Sequence, residues 1–249
     1  MLAVVVAVPL IGVDGSAAGD AEPDAHFSIV VGVAGLPLVL RTTLTLQKEG
    51  VERILLMVPR GDGTTARQAL ADGRVTARLD VVELEPGGNV TKELAARVAE
   101  PFLLVPLNVV VDSAIYRQLL AAEANDVTAI VATSNASPIG PLRMAGPPVD
   151  VAAGLGADVP LLDQVVAAEG SRLLEVGPHW WTRVDTKAGR ARATHLLFES
   201  CRKSVDGAVS RHLNRHISLF LSKRLVNTPL SPNGATTVTF LFGVVAAWY

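Results

Sequence analysis

Runs of uncharged, mostly apolar residues alternate along this chain with stretches in which apolar positions recur every three or four residues. Leu2-Ala3-Val4-Val5-Val6-Ala7-Val8, Ile54-Leu55-Leu56-Met57-Val58, Phe102-Leu103-Leu104-Val105-Pro106-Leu107 and Ala129-Ile130-Val131-Ala132-Thr133 are short and unbroken by charge. Strands buried on both faces have this pattern, because neither face meets water. Between them the helical period predicts helices over Arg41 to Gly50, Thr64 to Asp72, Val90 to Val98 and Ser113 to Ala122. Asn89 or Thr91 stands where a side chain caps the third of these. Arg78 to Leu84 alternates and predicts a strand. Leu161 to Glu169, Arg172 to Val176 and Ala188 to Arg202 continue the series as helix, strand and helix. Ile11 to His26 and Gly140 to Gly156 are rich in Gly, Pro, Ala and Asp and predict loops. Strand and helix in alternation predict an α/β domain over residues 1–200, an open, mostly parallel sheet flanked by helices. Ligands of such sheets sit outside the carboxyl ends of the strands, which draws attention to Leu107-Asn108-Val109-Val110-Val111-Asp112.

The last fifth reads differently. Over residues 201–227, Arg202, Lys203, Arg211, Arg215, Lys223 and Arg224 alternate, at spacings mostly of three to four, with Val205, Val209, Leu213, Ile217, Leu219, Leu221 and Leu225. That is a basic amphipathic helix. A breaker, Thr228-Pro229-Leu230-Ser231-Pro232-Asn233-Gly234, precedes an uncharged run over 236–249. A membrane span needs roughly 20 apolar residues, so the run is expected to be the start of a transmembrane helix. Arg211, Arg215, Lys223 and Arg224 would then meet anionic headgroups, and their charge puts the preceding domain at the cytoplasmic face. Two plainer readings stand beside this one. The helix would cover its own core, and Thr236 to Phe240 would be a final strand. Met1 to Pro9 is read as a strand rather than a signal peptide, since no Lys or Arg precedes its short apolar run.

Charge and cysteine content narrow the chemistry. The net charge is -2 and the pI about 6.2, so there is no overall basic footprint for nucleic acid. The single Cys201 excludes an internal disulfide framework and a cysteine-based zinc site. The sequence carries no P-loop, no Ser-His-Asp order and no zinc motif. His179, His195, His212 and His216 lack ligand spacing and are expected at the surface or an interface.

Val205-Asp206-Gly207-Ala208-Val209-Ser210-Arg211-His212-Leu213-Asn214-Arg215-His216-Ile217-Ser218, followed by Ser231-Pro232-Asn233-Gly234-Ala235-Thr236, resembles the juxtamembrane lead-in of the CDP-alcohol phosphatidyltransferases that carry an N-terminal nucleotidyltransferase-like domain. In layout, residues 27–200 resemble that domain, which has the GT-A fold of inositol-phosphate cytidylyltransferases. The phosphotransferase signature of the family, Asp-x-x-Asp-Gly-x-x-Ala-Arg, is mimicked by Asp206 to Arg211, but Lys203 stands at its first Asp. We therefore expect the chain to be the N-terminal part of a longer membrane enzyme, or a truncated descendant of one.

The resemblance also implies site residues. Gly15, in the loop Val13 to Asp20, would belong to the triphosphate cradle, although the loop lacks the family's Arg and carries two acids. Gly35 and Pro37, in a Gly-x-Pro-Leu segment, would lie beside the nucleotide, with Leu36 where the family often has Lys. Asn108 stands where an Asp holds Mg2+, and Asp112 either substitutes for that Asp or caps the helix after it. Trp181-Thr182-Arg183-Val184-Asp185-Thr186 resembles the segment Trp-x-Asp-Val-Asp-Thr, in which Asp185 would be the second metal ligand and Arg183 replaces an acid. Alternatively Asp185-Thr186 caps the next helix.

These residues lead to one principal expectation: the cytosolic, catalytically weakened domain of a membrane CDP-alcohol phosphatidyltransferase of phospholipid biosynthesis. The alternatives are an active cytidylyltransferase, making a CDP-activated alcohol from CTP and an alcohol phosphate with Mg2+, or a non-catalytic scaffold that pairs as a homodimer.

Overall fold

The computed structural model describes residues 1–7, 28–85, 90–123, 127–135, 137–146 and 161–200, with positions 234, 237, 240, 241, 243–245 and 248. The loop containing Gly15 and the basic segment 201–227 lie outside the described residues. The chain divides into two compact units, Met1–Ala193 and Thr194–Tyr249.

In the first unit the strands are β1 (Leu2–Val6), β2 (Gly32–Val33), β3 (Leu36–Pro37), β4 (Arg53–Pro59), β5 (Arg78–Leu84), β6 (Phe102–Pro106), β7 (Val109–Val111), β8 (Ala129–Ser134), β9 (Ser137–Met144), β10 (Ser171–Glu175) and β11 (Trp181–Arg183). The helices are α1 (Leu38–Lys48), α2 (Gly63–Leu70), α3 (Val90–Arg97), α4 (Ser113–Ala121), α5 (Leu161–Ala167) and α6 (Lys187–Ser200), the last of which runs on into the second unit. Seven strands form the main sheet in the order β10-β8-β9-β6-β1-β4-β5. Every pairing is parallel except the two made by β9.

All five residues of β1 are buried, as its unbroken apolar run requires. Val4 and Val6 join Leu55, Met57, Leu104 and Leu142 in one core layer, completed by Leu94 of α3 and by Leu162 and Val165 of α5. Side chains alternate along a strand, so Ala3 and Val5, also buried, belong to the other face of the sheet. The fold is the expected one, a mostly parallel sheet flanked by helices.

One expectation is corrected. Residues 140–144, expected from composition to belong to a loop, form part of β9, which lies between β6 and β8 in the sheet. Its ladder with β8 is interrupted: Val131 faces Leu142 and Thr133 faces Pro138, so Ile139, Gly140 and Pro141 stand opposite Ala132 alone. The irregularity accommodates both Pro141, which has no N–H for a ladder, and Gly140, whose φ is 119°.

In the second unit, Phe240, Leu241, Val244, Val245 and Trp248 are helical and exposed. Among the described residues no helix is long and apolar enough to cross a membrane.

Candidate functional site

The chain runs from β1 outward to β4 and β5, then returns to place β6 on the other flank of β1. Strand order therefore reverses between β1 and β6, and ligands of open α/β sheets bind at the carboxyl end of such a switch point. Beyond those strand ends, Leu107 N–H donates to Val6 O at 2.8 Å and Ala7 N–H donates to Met57 O at 2.9 Å. Asn108 comes next. It is 6% exposed, and its Oδ1 finds no hydrogen-bond partner among the described residues.

A two-stranded ribbon brings distant sequence to this rim. β7 pairs antiparallel with β11, Val109 facing Arg183 and Val111 facing Trp181. The ladder continues at both ends, because Val184 N–H donates to Asn108 O and Asp112 N–H donates to Trp180 O, each at 2.9 Å. The backbone at Asp185 is thereby brought beside Leu107-Asn108, far away in sequence.

Each carboxylate on the ribbon already has partners. Asp185 Oδ2 accepts from Arg183 Nε at 2.9 Å and lies 2.7 Å from Arg183 Nη2. The two side chains are mostly buried, 23% exposed for Arg183 and 14% for Asp185. The cap of α6 is Thr186, whose Oγ1 accepts from Gly189 N–H at 3.0 Å. Gly189 lies so close to the ribbon that a Cβ there would sit 2.1 Å from Arg183 O. Asp112 caps α4 by accepting from Ala114 N–H at 3.0 Å, and its other oxygen lies 3.3 Å from His179 Nδ1.

Magnesium prefers octahedral oxygen coordination with carboxylates among its ligands. Here Asn108 offers one unengaged oxygen, which is neutral, while Asp185 is paired with a guanidinium and Asp112 with a helix terminus and a histidine. Among the described residues no three His, Cys, Asp or Glu side chains come together to hold a metal ion. As arranged, this donor set fits a divalent cation poorly.

Gly35 and Pro37 lie in a tight hairpin made by β2 and β3. Ala34 and Gly35, with φ of 47° and 78°, form its turn, a conformation that glycine adopts without strain. Arg41, one turn into α1, braces the hairpin by donating from Nε to Val33 O at 2.9 Å and from Nη2 to Ala34 O at 3.1 Å. Sequence reasoning missed Arg41 as a brace and His179 as the partner of Asp112. For Arg41 the signal was its place four residues after Pro37, and for His179 there was none.

No family model matches the chain. Over 68 residues, 27% of this chain, it is 47% identical to the bifunctional IPC transferase and DIPP synthase of Thermococcus kodakarensis, and the match spans 16% of that relative. Curated relatives of this kind are thus matched over about a sixth of their own length. Among solved structures, the inositol-1-phosphate CTP transferase of T. maritima aligns over 92% of this chain and 97% of its own, with a TM-score of 0.57 at 14% identity. Rv0371c of Mycobacterium tuberculosis aligns over 78% and 98%, with a TM-score of 0.58 at 18% identity. These structural likenesses are of fold, and the fold is that of nucleotidyltransferases.

Proposed function

We propose that the first unit is a cytidylyltransferase domain that joins CTP to an alcohol phosphate of the polyol class. The observation that carries this reading is the switch point between β1 and β6, with the buried, unmet Asn108 Oδ1 at its rim and the Arg183–Asp185 pair on the adjoining ribbon. The strong local match to a relative named as an IPC transferase supports it. In the reaction, a phosphate oxygen of the alcohol phosphate attacks the α-phosphorus of CTP. The bond from that phosphorus to the bridging oxygen breaks, and pyrophosphate leaves with the electron pair. The residues of this chain orient the reactants: Asn108 accepts from a ligand hydroxyl, and the ribbon holds Arg183 toward phosphate. Positioning and charge stabilisation are the main demands of phosphoryl-group chemistry.

The test is calorimetric titration of the 249-residue chain with CTP, together with pyrophosphate release from CTP and inositol 1-phosphate. Micromolar binding, with release only when both substrates are present, is the expected result. Absence of binding at millimolar CTP overturns the reading. A scaffold reading is favoured by one observation, the engagement of Asp185 by Arg183; CTP binding without pyrophosphate release would support it.

We further propose that the whole protein is a membrane CDP-alcohol phosphatidyltransferase whose cytidylyltransferase unit lies at the cytoplasmic face. The exposed Phe240, Leu241, Val244, Val245 and Trp248 support membrane contact, as do Arg211, Arg215, Lys223 and Arg224 in the sequence. Flotation with anionic vesicles, lost when residues 236–249 are deleted, is the expected result; equal flotation of the deletion variant would sink the idea.

A further inference from the structure

Resting on the reading of this crevice as a nucleotide site, we infer that Arg183 brings to the nucleotide phosphates the positive charge a divalent cation would otherwise supply, so that CTP is bound without a metal. Among the described residues this rim lacks the free carboxylates of a metal site. Asp185 is engaged by the Arg183 guanidinium, and the first turn of α6, which follows it in sequence, holds Lys187 and Arg190 and no acid. Arg190 is held near the same ribbon, with Nη1 3.4 Å from Val184 O. A carboxylate already neutralised by a guanidinium attracts a divalent cation weakly. The amino end of α6 adds partial positive charge of its own.

Arg183 is suited to the role by the geometry of its pair. Nε and Nη2 both address the same oxygen of Asp185, so the Nη1 amino group lies outside the pair. A guanidinium stays charged at any working pH and presents its donors in a planar fork that matches phosphate oxygens. Its backbone is fixed on two sides, by the ladder to Val109 and by the close approach of Gly189 to its carbonyl. Asp185 is then a positioning residue, holding the guanidinium instead of ligating a metal. Asn108 follows the same logic, since a neutral amide beside phosphate avoids the repulsion a carboxylate would bring when no metal intervenes.

The experiment is calorimetric titration of the 249-residue chain with CTP, once in EDTA and once with magnesium, repeated for Arg183→Ala, Arg183→Lys and Arg183→Asp. Wild type is expected to bind equally in both buffers, within about threefold, and Arg183→Ala to lose about tenfold or more in EDTA, the scale of one charge-assisted hydrogen bond. Arg183→Lys should retain part of the affinity, and Arg183→Asp should bind only when magnesium is present. Thermal unfolding of each variant identifies any that fails to fold, and the comparison of buffers in wild type needs no variant. Binding of wild type only in magnesium overturns this inference and leaves the nucleotide reading standing. Binding in neither buffer overturns both.

Discussion

Alanine at position 108 probes whether the rim of the crevice keeps a spare acceptor at the expense of stability. Asn108 is 6% exposed and its Oδ1 is unmet among the described residues, so the folded chain bears a desolvation cost of about 1–3 kcal/mol. Asn108→Ala removes that cost. It also removes the amide nitrogen and the packing of a small side chain, a loss of about 1–2 kcal/mol for a change of this kind. The backbone bond from Val184 N–H at 2.9 Å does not depend on the side chain and remains. The terms nearly cancel, which puts the variant within about 1 kcal/mol of wild type, or about 2–4 °C in melting temperature at this size. A buried asparagine bonded at both ends would instead lose about 2 kcal/mol or more. Asn108→Asp moves in the opposite direction, because an unpaired buried carboxylate costs about 3 kcal/mol or more at neutral pH. Burial raises such a carboxyl's pKa, so the Asp variant should recover stability relative to wild type as pH falls. Urea unfolding of both variants beside wild type, with the m values compared, reads these differences. An alanine variant destabilised by more than about 2 kcal/mol at unchanged m would refute the reasoning, since Oδ1 would then be bonded in the folded protein and not kept for a ligand.

Three further outcomes follow from named contacts. Gln47 clamps the segment after α2, accepting from Thr76 N–H at 2.7 Å and Ala77 N–H at 3.0 Å and donating to Arg74 O at 3.0 Å. Gln47→Ala should cost about 2 kcal/mol and speed hydrogen exchange at Thr76 and Ala77; unchanged exchange there would count against the clamp. Gly189→Ala would drive a Cβ to 2.1 Å from Arg183 O, and should cost about 1–3 kcal/mol and weaken CTP binding, with wild-type behaviour in both disproving the close approach. The Arg74 side chain, and then its backbone N–H, hold the Asp72 carboxyl at about 2 against an ordinary 3.8. A depressed carboxyl favours the fold above its ordinary value and loses that contribution as pH falls toward 2. NMR titration should find the Asp72 midpoint raised toward the ordinary value in Arg74→Ala, which keeps the backbone N–H, and an unmoved midpoint would show that the Arg74 side chain is not the cause.

What was legible in the sequence was whatever burial imposes on neighbouring residues. The runs of β1, β4 and β6 are uncharged because both faces are covered, and Asp112 reads as a helix cap and caps α4. β9 was missed because Pro138, Gly140 and Pro141 speak against a strand, and only an interrupted ladder with β8 makes room for them. The β7/β11 ribbon was invisible for another reason: its two strands are three residues each and their pairing is long-range. Of Asp185-Thr186, Thr186 alone takes the cap, while Asp185 pairs with the Arg183 guanidinium, a partner neither reading named. The fate of His179 depends entirely on that ribbon and leaves no local trace.

The central place of β1 has a consequence for biosynthesis. Val4 pairs on one side with Leu55 and on the other with Leu104, a hundred residues further along. At a ribosomal pace of about 5–20 residues per second, roughly 5–20 s separate the making of β1 from that of its second neighbour. Throughout that interval Leu2-Ala3-Val4-Val5-Val6 is an apolar strand with an open edge, the kind of segment that recruits holding chaperones or self-associates when protein synthesis outruns them.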